Sequence, residues 1–175
     1  MVEMFFEGDR LASAYTPVPG VTIQPGSYGW HYLFGYLETS PSRPVSAHAE
    51  LRSGGYYDGH RDDQILQVAW KPSPYWGWRA GLARNAIRLP SGSFTVRTTT
   101  LRLDHTPSTR LAKSLLLQWD NVSNELGISA RLRWLLAPDR ELIFSLDRLG
   151  YTGEQRDLLP NQTRAMFKLV WNIER

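Results

Sequence analysis

Cysteine is absent from this sequence of 175 residues, and so is any long run of apolar residues. Without cysteine the chain forms no disulfide and holds no thiolate-bound metal. No apolar stretch approaches the roughly 18 residues that a membrane-spanning helix requires. Helices have little support elsewhere, because glycine and proline recur often and the apolar residues follow a period of two.

A secretory signal is also missing. The chain begins with the acidic stretch MVEMFFEGDRL, which has no apolar h-region. If the protein is exported, this sequence is therefore expected to be a piece of a longer precursor. We treat residues 1–175 as a single β-barrel domain or barrel fragment, with an irregular N-terminal segment at 1–28 and a strand meander at 29–175.

Motifs of nucleic-acid binding, metal binding and catalysis are lacking. The net charge is +3, but the basic residues are scattered, so no nucleic-acid partner is expected. The four histidines are too far apart in sequence to indicate a zinc site, and no G-x-S-x-G nucleophile motif occurs. The sequence therefore predicts a protein that is not an enzyme, with no catalytic residue, no metal site and no cofactor.

Aromatic residues and turn signals, by contrast, are abundant. Seven Trp, eight Tyr and six Phe favour strands. Short proline turns at Pro41, Pro72, Pro107 and Pro138 alternate with the polar breakers GGYYDGHRDD, RLPSGS and DNVSNE. This rhythm predicts an all-β, up-and-down antiparallel meander of about nine or ten strands, with short turns at one end and longer loops at the other.

The predicted strands show alternating apolar and polar residues. They span 30–39, 45–53, 63–71, 76–88, 92–104, 110–120, 126–136, 140–149 and 165–174, with a first strand near 2–8. In 126–136, Ile128 and Leu132 share one face while Ser129 and Arg131 share the other. The parity changes within 92–104, which predicts a bulge near RTTT at 97–100.

Two architectures produce such strands. A soluble sandwich or barrel packs its apolar faces inward, whereas an outer-membrane barrel turns them to lipid. Long, even strands and aromatics near strand ends favour the membrane barrel. Lys113 and Arg148 fall on apolar faces, but close enough to strand ends for their charges to reach the interface. The predicted interface aromatics are Trp30, Trp70, Trp76, Trp78, Trp119 and Trp134.

The polar faces would then line a lumen. Mixed charges on such a surface either set the selectivity of a pore or form a salt-bridged interior, and the second interpretation is the simpler one. The predicted lumen-facing residues are Arg52, Arg79, Arg131, Arg133, Glu50 and Asp147.

Several motifs occur in order along the chain. They are G-x-Y-Y-D-G at 54–59, N-x-I-x-L-P-x-G-x-F at 85–94, Q-W-D-N-x-S at 118–123 and R-x-R-W at 131–134. In this pattern the chain resembles the C-terminal β-barrel domain, of unknown function, in bacterial outer-membrane proteins that carry an N-terminal family-9-like carbohydrate-binding domain. The residues that carry the resemblance include Asp58, Gly59, Asn85, Pro90, Gly92, Gln118 and Asn121.

The resemblance implies a location in the bacterial outer membrane. Its implied partners are outer-membrane lipid, the outer-membrane assembly machinery, and an oligosaccharide bound through an N-terminal domain that this sequence lacks. The expected function is an anchor or passage for an envelope protein linked to carbohydrate handling. The alternatives are a soluble, lectin-like β-sandwich or β-barrel binding module without catalysis, and a barrel hydrolase.

Overall fold

The protein is built from β-strands. A computed structural model describes residues 1–152 and 162–171. In this part of the chain no helix is long and apolar enough to span a membrane. The strands are β1 (Val2–Leu11), β2 (Tyr15–Val18), β3 (Val21–Ile23), β4 (Gly26–Glu38), β5 (Val45–Tyr56), β6 (Gly59–Ser73), β7 (Trp76–Leu89), β8 (Gly92–Ser108), β9 (Leu111–Asp120), β10 (Glu125–Ala137), β11 (Arg140–Tyr151) and β12 (Gln162–Trp171).

Ten of these strands form one sheet in the order β1-β4-β5-β6-β7-β8-β9-β10-β11-β12. Each strand after β4 pairs with its neighbour in sequence, so the predicted all-β, up-and-down antiparallel meander is confirmed. The two remaining strands, β2 and β3, form a hairpin between β1 and β4. The predicted last strand, 165–174, is described from Gln162 to Trp171, and its final residues lie outside the described part.

Strands end at each of the predicted proline turns. Pro41 and Pro138 lie in the turns themselves, whereas Pro72 and Pro107 are the penultimate residues of β6 and β8. Proline fixes φ and has no N–H to donate to the ladder, so it favours turns over strand interiors. Neighbouring turns are joined by backbone hydrogen bonds, from Lys71 N to Pro44 O (2.7 Å) and from Thr106 N to Tyr75 O (2.8 Å). These bonds fix the register where the hairpins meet.

The predicted longer loops GGYYDGHRDD and RLPSGS are wrong, because both segments are mostly strand with a tight turn. The polar residues that indicated a loop pair with each other along β6: Arg61 Nε donates to Asp63 at 2.8 Å, and His60 Nε2 lies 3.1 Å from an Asp62 carboxylate oxygen. Side chains two residues apart in a strand share a face. Four charged or polar residues in a row are therefore compatible with a strand.

The prediction of an irregular N-terminal segment at 1–28 is wrong. It holds β1, the β2–β3 hairpin and the start of β4. The predicted bulge near 97–100 is also absent on the side that faces β9, where the register runs unbroken from Thr98 to His105. The shift on that side lies between His105 and Ser108, next to Pro107, which has no N–H for the ladder.

The contacts divide the chain into two compact units, each described by itself. Unit 1 comprises Met1–Thr39, Ala47–Gln67 and Leu82–Arg97, and unit 2 comprises Ser40–Ser46, Val68–Gly81 and Thr98–Arg175. Unit 1 contains a small dry core made by Val21 and Ile23 of β3 with Ile87 and Leu89 of β7. Ile23 is fully buried, although it belongs to the shortest strand.

Candidate functional site

In unit 1 the register of β1, β4 and β5 sorts side chains onto two faces. Directly opposed residues of an antiparallel pair point to the same side of the sheet. One side, here named the apolar face, carries Val2, Met4, Phe6, Leu33, Leu37, Ala49 and Leu51. The other side, the polar face, carries Glu3, Glu7, Tyr32, Phe34, Glu50 and Arg52.

The apolar face of unit 1 is open to its surroundings. Val2, Leu37 and Leu51 are 77%, 76% and 61% exposed. A soluble sheet normally buries its apolar side and wets its polar side. Here the dry core lies on the polar face, because it packs against Tyr28 and Tyr56, which share the parity of Tyr32 and Gly54 on that face.

The polar face of unit 1 carries a connected set of charges. The Arg52 guanidinium donates to Glu7 at 2.7 Å and lies 3.6 Å from the Tyr32 ring centroid. Asn85 Nδ2 donates to Asp63 at 2.8 Å, and Arg61 donates to the same carboxylate. A cavity of about 340 Å³ on this face is lined by Phe5, Tyr32, Phe34, Glu50, Arg52, Asp63 and Ile65.

Unit 2 repeats the arrangement on strands β8 to β12. One cross-strand row is apolar throughout and consists of Leu103, Leu115, Ala130, Leu146 and Ala165. The next row lies on the opposite side and consists of Asp104, Ser114, Arg131, Ser145 and Met166. Unit 2 thus also has an apolar and a polar face, and Leu169 on the apolar face is 54% exposed.

Most carboxylates on the polar face of unit 2 are already paired. The Arg102 guanidinium makes a two-pronged ion pair with Asp104, with its shortest contact at 2.9 Å. Arg133 pairs with Glu141 across β10 and β11. Ser129 Oγ donates to Asp147 at 2.6 Å.

The six predicted lumen residues divide between the units. Arg52 and Glu50 line the cavity of unit 1. In unit 2, Arg131 and Arg133 line one cavity of about 330 Å³. Asp147 lines another of about 620 Å³, together with Gln118, Ser129 and Arg164. Arg79 is exposed on β7 and has no ion-pair partner among residues 1–152 and 162–171.

Four of the predicted interface tryptophans are exposed in unit 2. Trp70 and Trp78 have ring centroids 6.1 Å apart, and Trp76 stacks on His105 at 3.9 Å. Trp134 is 47% exposed and lies opposite Leu111 beside the proline turns. Trp171 of the last described strand was not among the predicted interface aromatics. It is 56% exposed, and its ring centroid lies 4.2 Å from the Arg140 guanidinium.

Trp30 and Trp119 differ in how well they match the predicted position at a membrane interface. Trp30 is only 7% exposed and lies opposite Glu7 on the polar face, so its assignment to an exposed interface is wrong. It packs against Tyr56 and Tyr57 beside the β2–β3 hairpin, which the sequence had not revealed. Trp119 is half-buried on the apolar face, and its Nε1 donates to Thr152 Oγ1 at 3.0 Å.

The motif residues lie at turns or on the polar face. A Cβ at Gly59 would meet Arg88 O at 2.1 Å, so only glycine permits this close approach. Gly92, after Pro90, has φ of +150° and lies against Val21 of the hairpin. Asn85 bonds Asp63, and Gln118 lines the largest of the cavities described above. Asp58 and Asn121 lie in the turns after β5 and β9.

Two turns carry acidic groups with shifted pKa values. Burial raises the pKa of Asp120, but the hydrogen bonds from Ser123 and from the Val122 amide together lower it by more. The pKa of Asp120 is therefore below its ordinary value. In the other turn, burial and a hydrogen bond to Asp9 raise the pKa of the Tyr57 hydroxyl. Both turns are thereby held by groups in a fixed protonation state near neutral pH.

A serine, a histidine and an aspartate meet near the β5–β6 turn. Ser53 Oγ donates to Asp62 at 2.6 Å, and His60 Nε2 lies 3.1 Å from the same carboxylate oxygen. Arg88 also binds Asp62, at 3.2 Å. In a hydrolytic triad the histidine lies between the serine and the acid. His60 Nε2 also lies 3.4 Å from Ser53 Oγ, but the shorter hydrogen bond of Ser53 goes to the carboxylate, so the histidine does not lie between the serine and the acid.

Within the described ranges, no group of three histidine, aspartate or glutamate side chains is placed to hold a metal ion. Comparison with protein-family models and with curated proteins yields no match. The solved structure of the NanC porin is similar over 98% of this chain and 93% of the porin, with a TM-score of 0.45 and 10% sequence identity. The two faces of the sheet are therefore the basis for assigning a function.

Proposed function

We propose that this chain is a lipid-embedded β-sheet of a bacterial outer-membrane barrel, serving as the anchor or passage of an envelope protein. The observation that carries the proposal is the uncovered apolar face. In each unit this face consists mainly of apolar alternate strand residues that lie open, while most of the ion pairs lie on the opposite face. A large exposed apolar surface typically contacts a membrane or a partner protein.

The aromatic group supports lipid as the contact. Trp70, Trp76, Trp78 and Trp134 lie exposed beside the proline turns of unit 2. Tryptophan prefers the boundary between hydrocarbon and water, where its ring is half solvated. Lys71 lies in the same region, with its Nζ 3.0 Å from Pro41 O. Amphipathic rings beside a cation are typical of a membrane interface.

The polar face of each unit supports contact with water. Its ion pairs, such as Arg52 with Glu7 and Arg102 with Asp104, would be costly in hydrocarbon and are inexpensive against water. The proposed link to carbohydrate handling rests on the motif resemblance. That resemblance implies that the oligosaccharide binds to an accompanying domain and not to these strands. We expect the lipid and the assembly machinery to be the direct partners of these strands.

Heat-modifiable migration on a gel tests the membrane assignment. The chain is refolded into phospholipid vesicles or detergent micelles, and its mobility is compared before and after boiling. A folded membrane barrel resists the detergent of the gel and migrates differently until it is boiled. Identical migration of both samples, together with protease sensitivity in vesicles, would contradict the proposal.

The small dry core favours one alternative, a soluble β-protein that binds ligands. Val21, Ile23, Ile87 and Leu89 bury one another without lipid, as the core of a soluble module does. That function requires the chain to be monomeric and folded in buffer without detergent. Aggregation in buffer combined with refolding in micelles would exclude it.

A further inference from the structure

We infer that the polar face of unit 2 holds a binding site for the carboxylate of a small organic anion, centred on Arg131. This inference deepens the proposed function and rests on it, since it names the class of solute that a passage lined by this face would favour. The site is a cavity of about 330 Å³. It is lined by Arg131 and Arg133 together with Arg102, Asp104, Thr106, Ala112, Lys113, Ser114, Leu132 and Ile143.

The first step is the state of the charges around Arg131. Three carboxylates lie near it on the polar face, and each is committed elsewhere: Asp104 to Arg102, Glu141 to Arg133, and Asp147 to Ser129. Arg131 itself makes no hydrogen bond or ion pair with any residue of the described ranges. Its guanidinium is therefore a cation with unused donors, and each neighbouring carboxylate already has another hydrogen-bond partner.

The second step is the space around this guanidinium. Arg131 lies directly between Ser114 on β9 and Ser145 on β11. Ser145 is buried, and Ala112 lies opposite Arg133 on the same side of the sheet. These small side chains leave room above the sheet, and two hydroxyl groups stand beside the cation.

The third step is the chemistry that fits. A guanidinium presents donors in a planar fork that matches the two oxygens of a carboxylate. The hydroxyl of Ser114, which lines the cavity, is a donor for a further oxygen, such as a hydroxyl group of a sugar acid. A neutral sugar would leave the guanidinium without a charged partner. The cavity volume lies at the lower end of the range for small-molecule sites, which suits a compact solute.

Glucuronate and glucose are matched probes, because they share a ring and differ in the carboxylate. The chain labelled with ¹⁵N is refolded in micelles, and the side-chain Nε–H signal of Arg131 is assigned by its loss in Arg131→Gln. Glucuronate should shift this signal saturably, whereas glucose should not. Arg131→Lys keeps the charge but loses the fork, and it should weaken glucuronate binding at least about tenfold, as judged from other polar-face signals.

Arg140→Gln is the matched charge control, because Arg140 is a unit 2 arginine that does not line the cavity. Arg140 lies opposite Trp171, on the same side of the sheet as Leu142 and Leu169, which is the apolar face. Its removal changes the net charge as Arg131→Gln does, yet it should leave glucuronate binding unchanged. Equal weakening by Arg140→Gln and Arg131→Gln, or a glucose shift as large as that of glucuronate, would overturn the site.

Bilayer conductance separates the site from the passage. In a potassium chloride gradient the wild-type chain should prefer chloride to potassium, and Arg131→Gln should reduce that preference while Arg140→Gln should not. A saturable Arg131 shift without any conductance would overturn the passage function and leave an anion site on an anchor. Conductance without a saturable shift would overturn the site and leave the passage.

Discussion

Two adjacent leucines of β9 provide the sharpest prediction about the faces. Leu115 lies on the apolar face between Leu103 and Ala130, whereas Leu116 lies on the polar face between Arg102 and Ser129. Both leucines are half-buried in the middle of a ten-residue strand. Substitution of either by arginine therefore introduces the same charge at the same depth, on opposite sides of the sheet.

The expected costs differ because the two sides contact different media. An arginine near the middle of a lipid-facing strand destabilises a membrane barrel by about 2–4 kcal/mol. This corresponds to a roughly 30- to 700-fold fall in the ratio of folded to unfolded protein. Leu116→Arg places its charge among polar groups, beside the Ser129–Asp147 pair, and should cost about 1 kcal/mol or less.

Urea titration of the chain in phospholipid vesicles, followed by tryptophan fluorescence, measures both costs. The fraction of heat-modifiable protein on a gel gives an independent value. A Leu116→Arg variant at least as destabilised as Leu115→Arg would refute the assignment of the faces. If Leu115→Arg is instead more stable than the wild-type chain in buffer without lipid, the protein is soluble and its apolar face contacts water.

Three further predictions concern the turns and the core. Gly59→Ala should destabilise the fold by about 1–3 kcal/mol, because its Cβ would overlap Arg88 O, whereas Gly77→Ala, with a nearest contact of 3.8 Å, should be nearly neutral in the same urea titration. Ile23→Ala should cost about 2–5 kcal/mol by opening a cavity in the dry core, and an unchanged urea midpoint would contradict this. Because the folded-state pKa of Asp120 is lowered, its turn is stabilised above the ordinary aspartate pKa and loses that stabilisation as the pH falls through the lower value. The amide chemical shifts of Val122 and Ser123 should report this loss, and Asp120→Asn should abolish their pH dependence in that range.

The strands were predictable because their determinants are local. Alternation of apolar and polar residues in 126–136 gives both the strand and its two faces, and each proline turn sets the end of a hairpin. The same alternation placed Arg131 and Arg133 on the polar side. The pairing of Arg133 with Glu141 was not predictable, because it depends on the register that the β10–β11 turn imposes.

Other features depended on contacts between distant segments. The segment PVPGVTIQPG contains too many prolines and glycines to indicate strands, so the β2–β3 hairpin was missed. The burial of Trp30 follows from the aromatic group beside that hairpin and was missed with it. Ile87 and Leu89 likewise needed the hairpin before they formed a core.

The β2–β3 hairpin leaves the sheet and returns to it at one point, because Leu11 at the end of β1 is paired with Gly26 at the start of β4. A two-residue turn joining these positions would excise the hairpin and keep the ladder between β1 and β4 intact. The fold therefore contains a detachable module. Mutation can therefore change the packing over Ile87 and Leu89 without changing the pairing of β1 with β4.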